Sequence, residues 1–406
     1  MTPLTDEAFA ASVRRELLQG ILPFWRSRTV DVQRGGFIAE MSNDLRTRPD
    51  AAKGLILNAR ILWTFSAAYR HTRSAEDRAL ALRAYDFLAN HFRDPLHGGY
   101  FWELNPDATV RDDKKKIYGQ AFCVYALSEY YRNFGEAKAL DLAIEVFRCI
   151  EQAARDPGHG GYFETLARDW TTCEDVRLSE KDLNEAKSMN NHLHVLEAYA
   201  GLLRVWPDSL LAQRLGELVD LFERRILNPA KTHLQHFFAE DWTPRSDSYT
   251  FGHDIEGSWL LCEAAETLGD ARALGRIQAI ALGMARAVLQ EGLDADGGLF
   301  YEARDGNIID SNKEWWPQAE AVVGFWNAWQ LSGDGVFREA AMRCWEFIQQ
   351  RIVDHAHGEW FWRVSREGTP DLSQPKVSAW KCPYHNGRCC LEILRRVEAG
   401  ASTRKD

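Results

Sequence analysis

DPLHGGYFWE, residues 94–103, returns as DPGHGGYFET at residues 156–165, and that return decides the fold. Looser copies are DVQRGGFIAE from Asp31, DADGGLFYEA from Asp294 and DHAHGEWFWR from Asp354. The second glycine falls at 36, 99, 161 and 298, with Gly358 last. Steps of 63 and 62, a gap of 137 and a step of 60 leave room for one degenerate copy, and KTHLQHFFAEDW from Lys231 fills it. Six units of about 60–70 residues follow, the signature of a repeat architecture.

Between the phrases, apolar residues recur at helical spacing, two helices to an interval. One set precedes each phrase, near 9–26, 76–92, 138–153, 208–226, 271–290 and 336–352. The other set begins near Lys53, Ile117, Lys187, His253, Trp315 and Tyr384. The first set carries a charged face, as in AEDRALALRAYDFL (75–88). The second is apolar nearly all round, as in GLILNARILWTFSAAY (54–69) and AEAVVGFWNAW (319–329), which marks buried helices. An inner ring wrapped by an amphipathic outer ring predicts an all-α (α/α)6 barrel of twelve helices, a single domain over residues 1–406. That closure accounts for a chain about two to three times the usual domain length; an open solenoid is the alternative. Each Gly-Gly-aromatic phrase is a tight turn leading into a short strand, so small β-hairpins should decorate the long-loop mouth.

Composition narrows the partner. Hydrophobic residues make up 45% and aromatics 12%, including 15 Trp and 20 Phe, far more than a disordered chain carries. Charges sum as 49 − 59 = −10 without a basic block, which argues against nucleic acid or an anionic membrane and favours a neutral small molecule. The start, MTPLTDE, has no basic or apolar leader, and no stretch approaches a membrane span, so a cytoplasmic location is expected. Eight cysteines form no CxxC pair and read as reduced apolar fillers.

The long loops enter the N-terminal ends of the inner helices, so one mouth collects those ends. Arg60, Tyr118, Asn190, His192, His194, His253, Glu256, Trp316, Glu320, His385 and Arg388 fall there. Ionisable groups on otherwise apolar helices need partners or a cavity. GHDIEGSWL sets His253, Glu256 and Trp259 at i, i+3 and i+6, so Glu256 is expected to orient or charge the imidazole. In WKCPYHNGR, Pro383 breaks the backbone and His385 opens a helix whose dipole lowers an imidazole pKa toward base function. A single buried histidine is more often a core residue; two at equivalent helix starts favour catalysis. His192-x-His194 is a poor metal site, because i and i+2 diverge on a helix and no third ligand is near; no metal is expected, and His192 is assigned to the rim. Gly158-His159-Gly160 lacks the third glycine and the strand-to-helix context of a nucleotide loop. Trp259, Trp316 and Trp380 lie beside the polar cluster, and an apolar ring face next to hydrogen-bonding groups suits a sugar.

KGLILNARILWTFSAAYR, YGQAFCVYALSEYYR, SMNNHLHVLEAYA, FGHDIEGSWLL, WWPQAEAVVGF and WKCPYHNGR resemble motifs of the N-acylglucosamine 2-epimerase superfamily, across essentially the whole chain. The likeness is strongest to its cellobiose 2-epimerase branch. The resemblance implies an (α/α)6 barrel and a cofactor-independent isomerase that reversibly epimerises C2 of the reducing-end glucose of β-1,4-linked disaccharides. It implies acid/base roles for His253 and His385, with His194 a further catalytic candidate. It also implies sugar contacts from Arg60, Tyr118, Asn190, Glu256, Trp259, Trp316, Glu320 and Trp380. The residue types suit that chemistry. C2 epimerisation opens the hemiacetal, removes a weakly acidic proton, stabilises an enediolate and reprotonates the other face, and an imidazole of pKa about 6.5 can both take and give a proton. Other readings on the same fold are a mannose 2-epimerase or isomerase and an N-acylglucosamine 2-epimerase. A glycoside hydrolase would need two opposed carboxylates, for which Glu256 and Glu320 are the candidates, and a non-enzymatic scaffold would leave the inward polar residues without purpose.

Overall fold

The structure, a computed structural model, describes residues 5–403. Among these, twelve helices alternate between two rings. The outer ring is formed by 6–28, 75–92, 137–154, 209–226, 271–292 and 335–352. The inner ring is formed by Leu55–Thr72, Ile117–Phe134, Met189–Leu203, Phe251–Leu268, Trp315–Ser332 and Tyr384–Thr403. Each inner helix packs on the next and the last packs on the first, so the expected barrel closes. Apolar spacing did not report one local feature: every outer helix contains a π turn, mid-helix at Glu16–Ile21 in the first and terminal in the other five.

The expected hairpins form as strand pairs in two loops, where Glu103–Leu104 pairs with Val110–Asp112 and Glu302–Arg304 with Asn307–Asp310, and as single antiparallel bridges in the others, such as Met41 with Thr47 and Leu166 with Thr172. Most of the pairing, however, runs between units. The strand entering each inner helix pairs antiparallel with the strand after the next Gly phrase: Lys53 faces Leu104, Lys115 faces Leu166, Lys187 faces Phe238 and Lys313 faces Val364. Val377 then pairs back onto Met41, closing the loops into a ring of their own. The first N–H of an inner helix donates across the same seam, as from Leu55 to Trp102 O and from Met189 to His236 O. Side-chain caps serve most outer helices, as at Ser74, Asp208 and Asp270, and the inner helix from Met189 adds one from Ser188.

Buried ion pairs pin these loops. The Asp of a Gly phrase accepts backbone N–H bonds from its own turn, as Asp156 does from Gly158 and His159, and binds the Lys that precedes the inner helix. The pairs are Lys53–Asp31, Lys115–Asp94, Lys187–Asp156, Lys313–Asp294 and Lys376–Asp354, at 2.6–3.0 Å. The degenerate fourth unit changes both partners together. Asn228 caps the turn, and Tyr249 stands at the lysine position, stacked on His233 at 3.9 Å. Gly99 and Gly161 are required twice over, by φ of 66° and 77° and because a Cβ would strike Trp170 and Trp242 of the following loop. The end of the barrel opposite the long loops is filled by ion pairs including Arg70–Glu129, Arg204–Glu263 and Arg395–Glu263. No helix among the described residues is long and apolar enough to cross a membrane.

Candidate active site

Repeat symmetry stacks the polar side chains in layers below the long-loop mouth. The top layer comes from the second or third residue of an inner helix: Tyr118, Asn190, His253, Trp316 and His385. The next comes from the sixth residue: Arg60, His194, Glu256 and Glu320. Glu197 and Trp259, at the ninth position, lie deepest. An open cleft of about 420 Å³ leads in from the mouth and reaches Asn190, Thr250, His236 and His253.

Arg388 organises the floor. Its guanidinium bonds Glu256 at 2.5 Å, Glu320 at 2.6 Å and Glu197, and lies over the Trp259 and Tyr384 rings. Burial pushes the Glu256 carboxyl up to about 7, with Glu320 adding to the rise. Glu197 goes the other way: Arg388 and the His194 bond overcome burial and bring it down to about 2. The carboxylates in turn hold imidazoles. His385 Nδ1 lies 2.7 Å from Glu320, and His194 Nδ1 lies 2.9 Å from Glu197. Arg388 and Trp259 also donate to Glu320, so this carboxylate is the acceptor, His385 Nδ1 carries the proton and Nε2 is left as a base. Burial, then Arg60 and Arg388, keeps the His385 pKa well below its ordinary value. Burial, then the neighbouring His236, does the same to His253.

Aromatic rings form the walls. Trp316 lies 4.7 Å from the His253 ring and 5.6 Å from that of His385. Across the mouth, Trp380 meets Tyr118 at 5.9 Å and Trp102 at 6.1 Å. Arg60 donates to the Tyr118 hydroxyl at 2.8 Å, while its Nε is buried with no hydrogen-bond partner among the described residues. Burial raises the Tyr118 pKa, so the phenol keeps its proton and has it to donate.

Two expectations need correction. Glu256 does not hold His253: its Oε1 is taken by Arg388, and His253 Nδ1 bonds Thr250 Oγ1 at 2.6 Å. The i, i+3 imidazole–carboxylate pair belongs instead to His194 and Glu197, a spacing equally visible in HLHVLE. His192 is not on the rim. It is fully buried between Ser188 O and the Tyr162 N–H, using both ring nitrogens. Sequence reasoning left Glu197, Tyr384 and Thr250 out of the site, and gave Arg388 a place but no role.

Glu256, Glu320 and His385 bring ligand-type atoms within 4.8 Å of one another. Arg388 already bridges the two carboxylates there, supplying the positive charge that a cation would bring. The same bridging ties up the pair a glycosidase would need free to face each other across a sugar.

Paired helical rings around buried, carboxylate-anchored histidines, with an arginine and tryptophans at an open mouth, define an (α/α)6-barrel acid/base enzyme. The chain belongs to the N-acylglucosamine 2-epimerase family, whose model matches residues 36–389. It is 44% identical to the cellobiose 2-epimerase of Bacteroides fragilis, over 96% of this chain and 99% of that one. The solved cellobiose 2-epimerase of Bacillus thermoamylovorans superposes with a TM-score of 0.91 at 38% identity, covering 96% of this chain and 100% of the other. A D-mannose isomerase of Marinomonas mediterranea is 23% identical over 94% of this chain and 96% of its own length.

Proposed function

We propose that this chain reversibly epimerises C2 of the reducing-end glucose of cellobiose and related β-1,4-linked disaccharides, by ring opening and a cis-enediolate. The observation that carries the reading is the pair of buried imidazoles, His253 and His385, both held neutral beside Trp316. One removes the C2 proton and the other returns a proton to the opposite face. His194, its Nδ1 fixed by Glu197, moves the proton that opens the hemiacetal. Arg60 and Tyr118 donate to the O1/O2 oxyanion, where one well-placed donor is worth about 3 kcal/mol. Asn190, whose buried Oδ1 has no partner among the described residues, receives a sugar hydroxyl. Glu256, Glu320 and Trp259 brace Arg388 and His385, while Trp316 and Trp380 offer ring faces. No electrons leave the sugar, so the reaction calls for no redox cofactor, and none is proposed; nor is a metal. The disaccharide preference is supported by the names of the relatives at 44% and 38% identity, against 23% for the mannose isomerase. We place the enzyme in the cytoplasm as one domain, a location that suits its eight free thiols.

Proton NMR of cellobiose with the enzyme in heavy water tests this. Deuterium should enter C2 as the mannose-type epimer appears, and His253→Asn and His385→Asn should each lose at least about 100-fold in rate. Release of free glucose, or a C2 proton that never exchanges, would sink the reading. Trp380→Ala should weaken cellobiose turnover several-fold more than mannose turnover, from the loss of about 1 kcal/mol of stacking.

A further inference from the structure

The last Gly phrase departs from the others at its second glycine. In the second and third units the N–H of the opening aspartate, Asp94 or Asp156, donates to the carbonyl of that glycine, Gly99 or Gly161. Asp354 donates instead to Glu359 O, so a glutamate stands in the second position and Gly358 is the first glycine of the pair. Glu359 keeps the glycine conformation, with φ of 61° against 66° and 77° at Gly99 and Gly161, although a Cβ makes it unfavourable. The inner helix that follows changes with it. Its fourth residue is Gln120, His192 or Gln318 in other units, each bonding the backbone of its phrase, but Gly387 here. In this unit the phrase sends the side chain and the helix receives it. Glu359 Oε1 accepts from Lys381 Nζ at 2.6 Å and from Asn386 Nδ2 at 2.7 Å, and Oε2 accepts from Trp25 Nε1 at 2.6 Å. All four residues are fully buried. Between Lys381 and Asn386 run Cys382, Pro383, Tyr384 and His385. Trp380, just upstream, is held separately by its N–H on Ser378 Oγ.

We propose that Glu359 is a positioning residue for His385: by tying Lys381 to Asn386 it fixes the backbone between them, and so sets where the imidazole stands against C2 of the sugar. The proposal rests on the epimerase reading above. Glu320 holds the ring through Nδ1, which fixes its rotation; Glu359 holds the chain that carries the ring. A left-handed residue with a side chain persists where its surroundings over-determine it, and three buried donors on one carboxylate do so. Proton transfer needs the reacting atoms in line and close, so a small displacement of His385 is felt in the chemical step more than in binding. Glu359 moves no proton itself; it acts through His385.

Removing the carboxylate alone would strand the Lys381 charge, so the test is Glu359→Gly/Lys381→Met, which restores the glycine of the other units and removes both charges together. Asn386→Ala cuts the second tether by itself and covers the case of a double variant that does not fold. Each is compared with the wild type by steady-state kinetics with cellobiose and by calorimetric titration with cellobiitol, the reduced disaccharide, which has no carbonyl to acidify C2 and so binds without reacting. The titration counts intact sites, which separates a misplaced imidazole from a partly unfolded sample. The double variant should keep one site per chain, with Kd and KM within about threefold, and lose about tenfold or more in kcat; Asn386→Ala should show the same split with a loss of about threefold to tenfold. A kcat within about twofold of the wild type in the folded double variant, or in Asn386→Ala where the double variant does not fold, overturns the proposal. So does a kcat that falls only in step with the number of sites or with a weakened Kd, since Glu359 would then serve the fold alone. A wild type that does not epimerise cellobiose removes the epimerase reading and this role with it; a working wild type with unaffected variants removes the role alone.

Discussion

His192 and His194 stand two residues apart and serve unrelated ends, because a helix turns about 200° between them. His194 faces the site, whereas His192 clamps the Tyr162 backbone, the job that Gln120 does for Tyr100 and Gln318 for Leu299 at the same helix position. Burial carries the His192 pKa down to about 3, against about 6.5 in an unfolded chain. Between those values the unfolded state binds a proton that the folded state refuses, so this residue costs stability as pH falls below about 6.5. His192→Gln, copying the neighbouring units, should therefore fold and turn over normally at pH 7, and any Tm deficit against the wild type should shrink or reverse by pH 5. A Tm difference constant from pH 7 to pH 5 would contradict this. The i, i+3 rule found the right kind of pair and put it on the wrong histidine, since spacing along one helix is blind to Arg388 arriving from another and claiming Glu256.

Elements were readable from sequence wherever one helix carries its own pattern, and unreadable where two units share a bond. The Gly phrases and apolar helices stand out because each is local; the seam pairings join residues about 50 positions apart and the lysine–aspartate pins residues about 20–30 apart, too far for a local pattern to report them. The fourth unit supplies the natural control, with Asn228 and Tyr249 replacing aspartate and lysine together. Losing one partner alone strands a buried charge. In the third unit, backbone N–H groups and Lys187 bring Asp156 down to about 2 against the pull of burial. Lys187→Met should cost about 3–5 kcal/mol, the usual penalty for breaking a buried pair. Adding Asp156→Asn should recover much of that loss, because an amide oxygen can still cap the turn as Asn228 does. Denaturant midpoints of the two variants decide it: a double variant no more stable than the single one would rule out charge stranding as the cause.

For the molecule as a whole, closure is the property that makes the site, because each inner helix contributes a side chain to the mouth and an open solenoid would splay them apart. The ring is sealed twice, by Met41 pairing with Val377 and by the last inner helix lying against the first outer one, where Arg14 meets Glu398 at 3.1 Å. The first outer helix leaves the end of the barrel away from the mouth and Tyr384–Thr403 returns to it, so residues 5 and 403 lie on the same side as the turn at Gly333–Asp334. A closed ring has no privileged break point. A circular permutant that joins 403 to 5 through a short Gly/Ser linker and opens at Gly333–Asp334 should fold and keep its epimerase rate within a few-fold, as exposed turns tolerate new ends. Opening instead between Arg177 and Asp182, which line the cleft, should preserve the helical fold and lose activity, because that segment supplies Leu178 O to Lys116 and a wall to the mouth. Circular dichroism with an epimerisation assay on both permutants checks the pair of outcomes. Loss of fold in the first would mean that the seam between the last and first units, a single bridge at Met41–Val377, needs its present chain ends more than the five two- or three-residue ladders within the chain do.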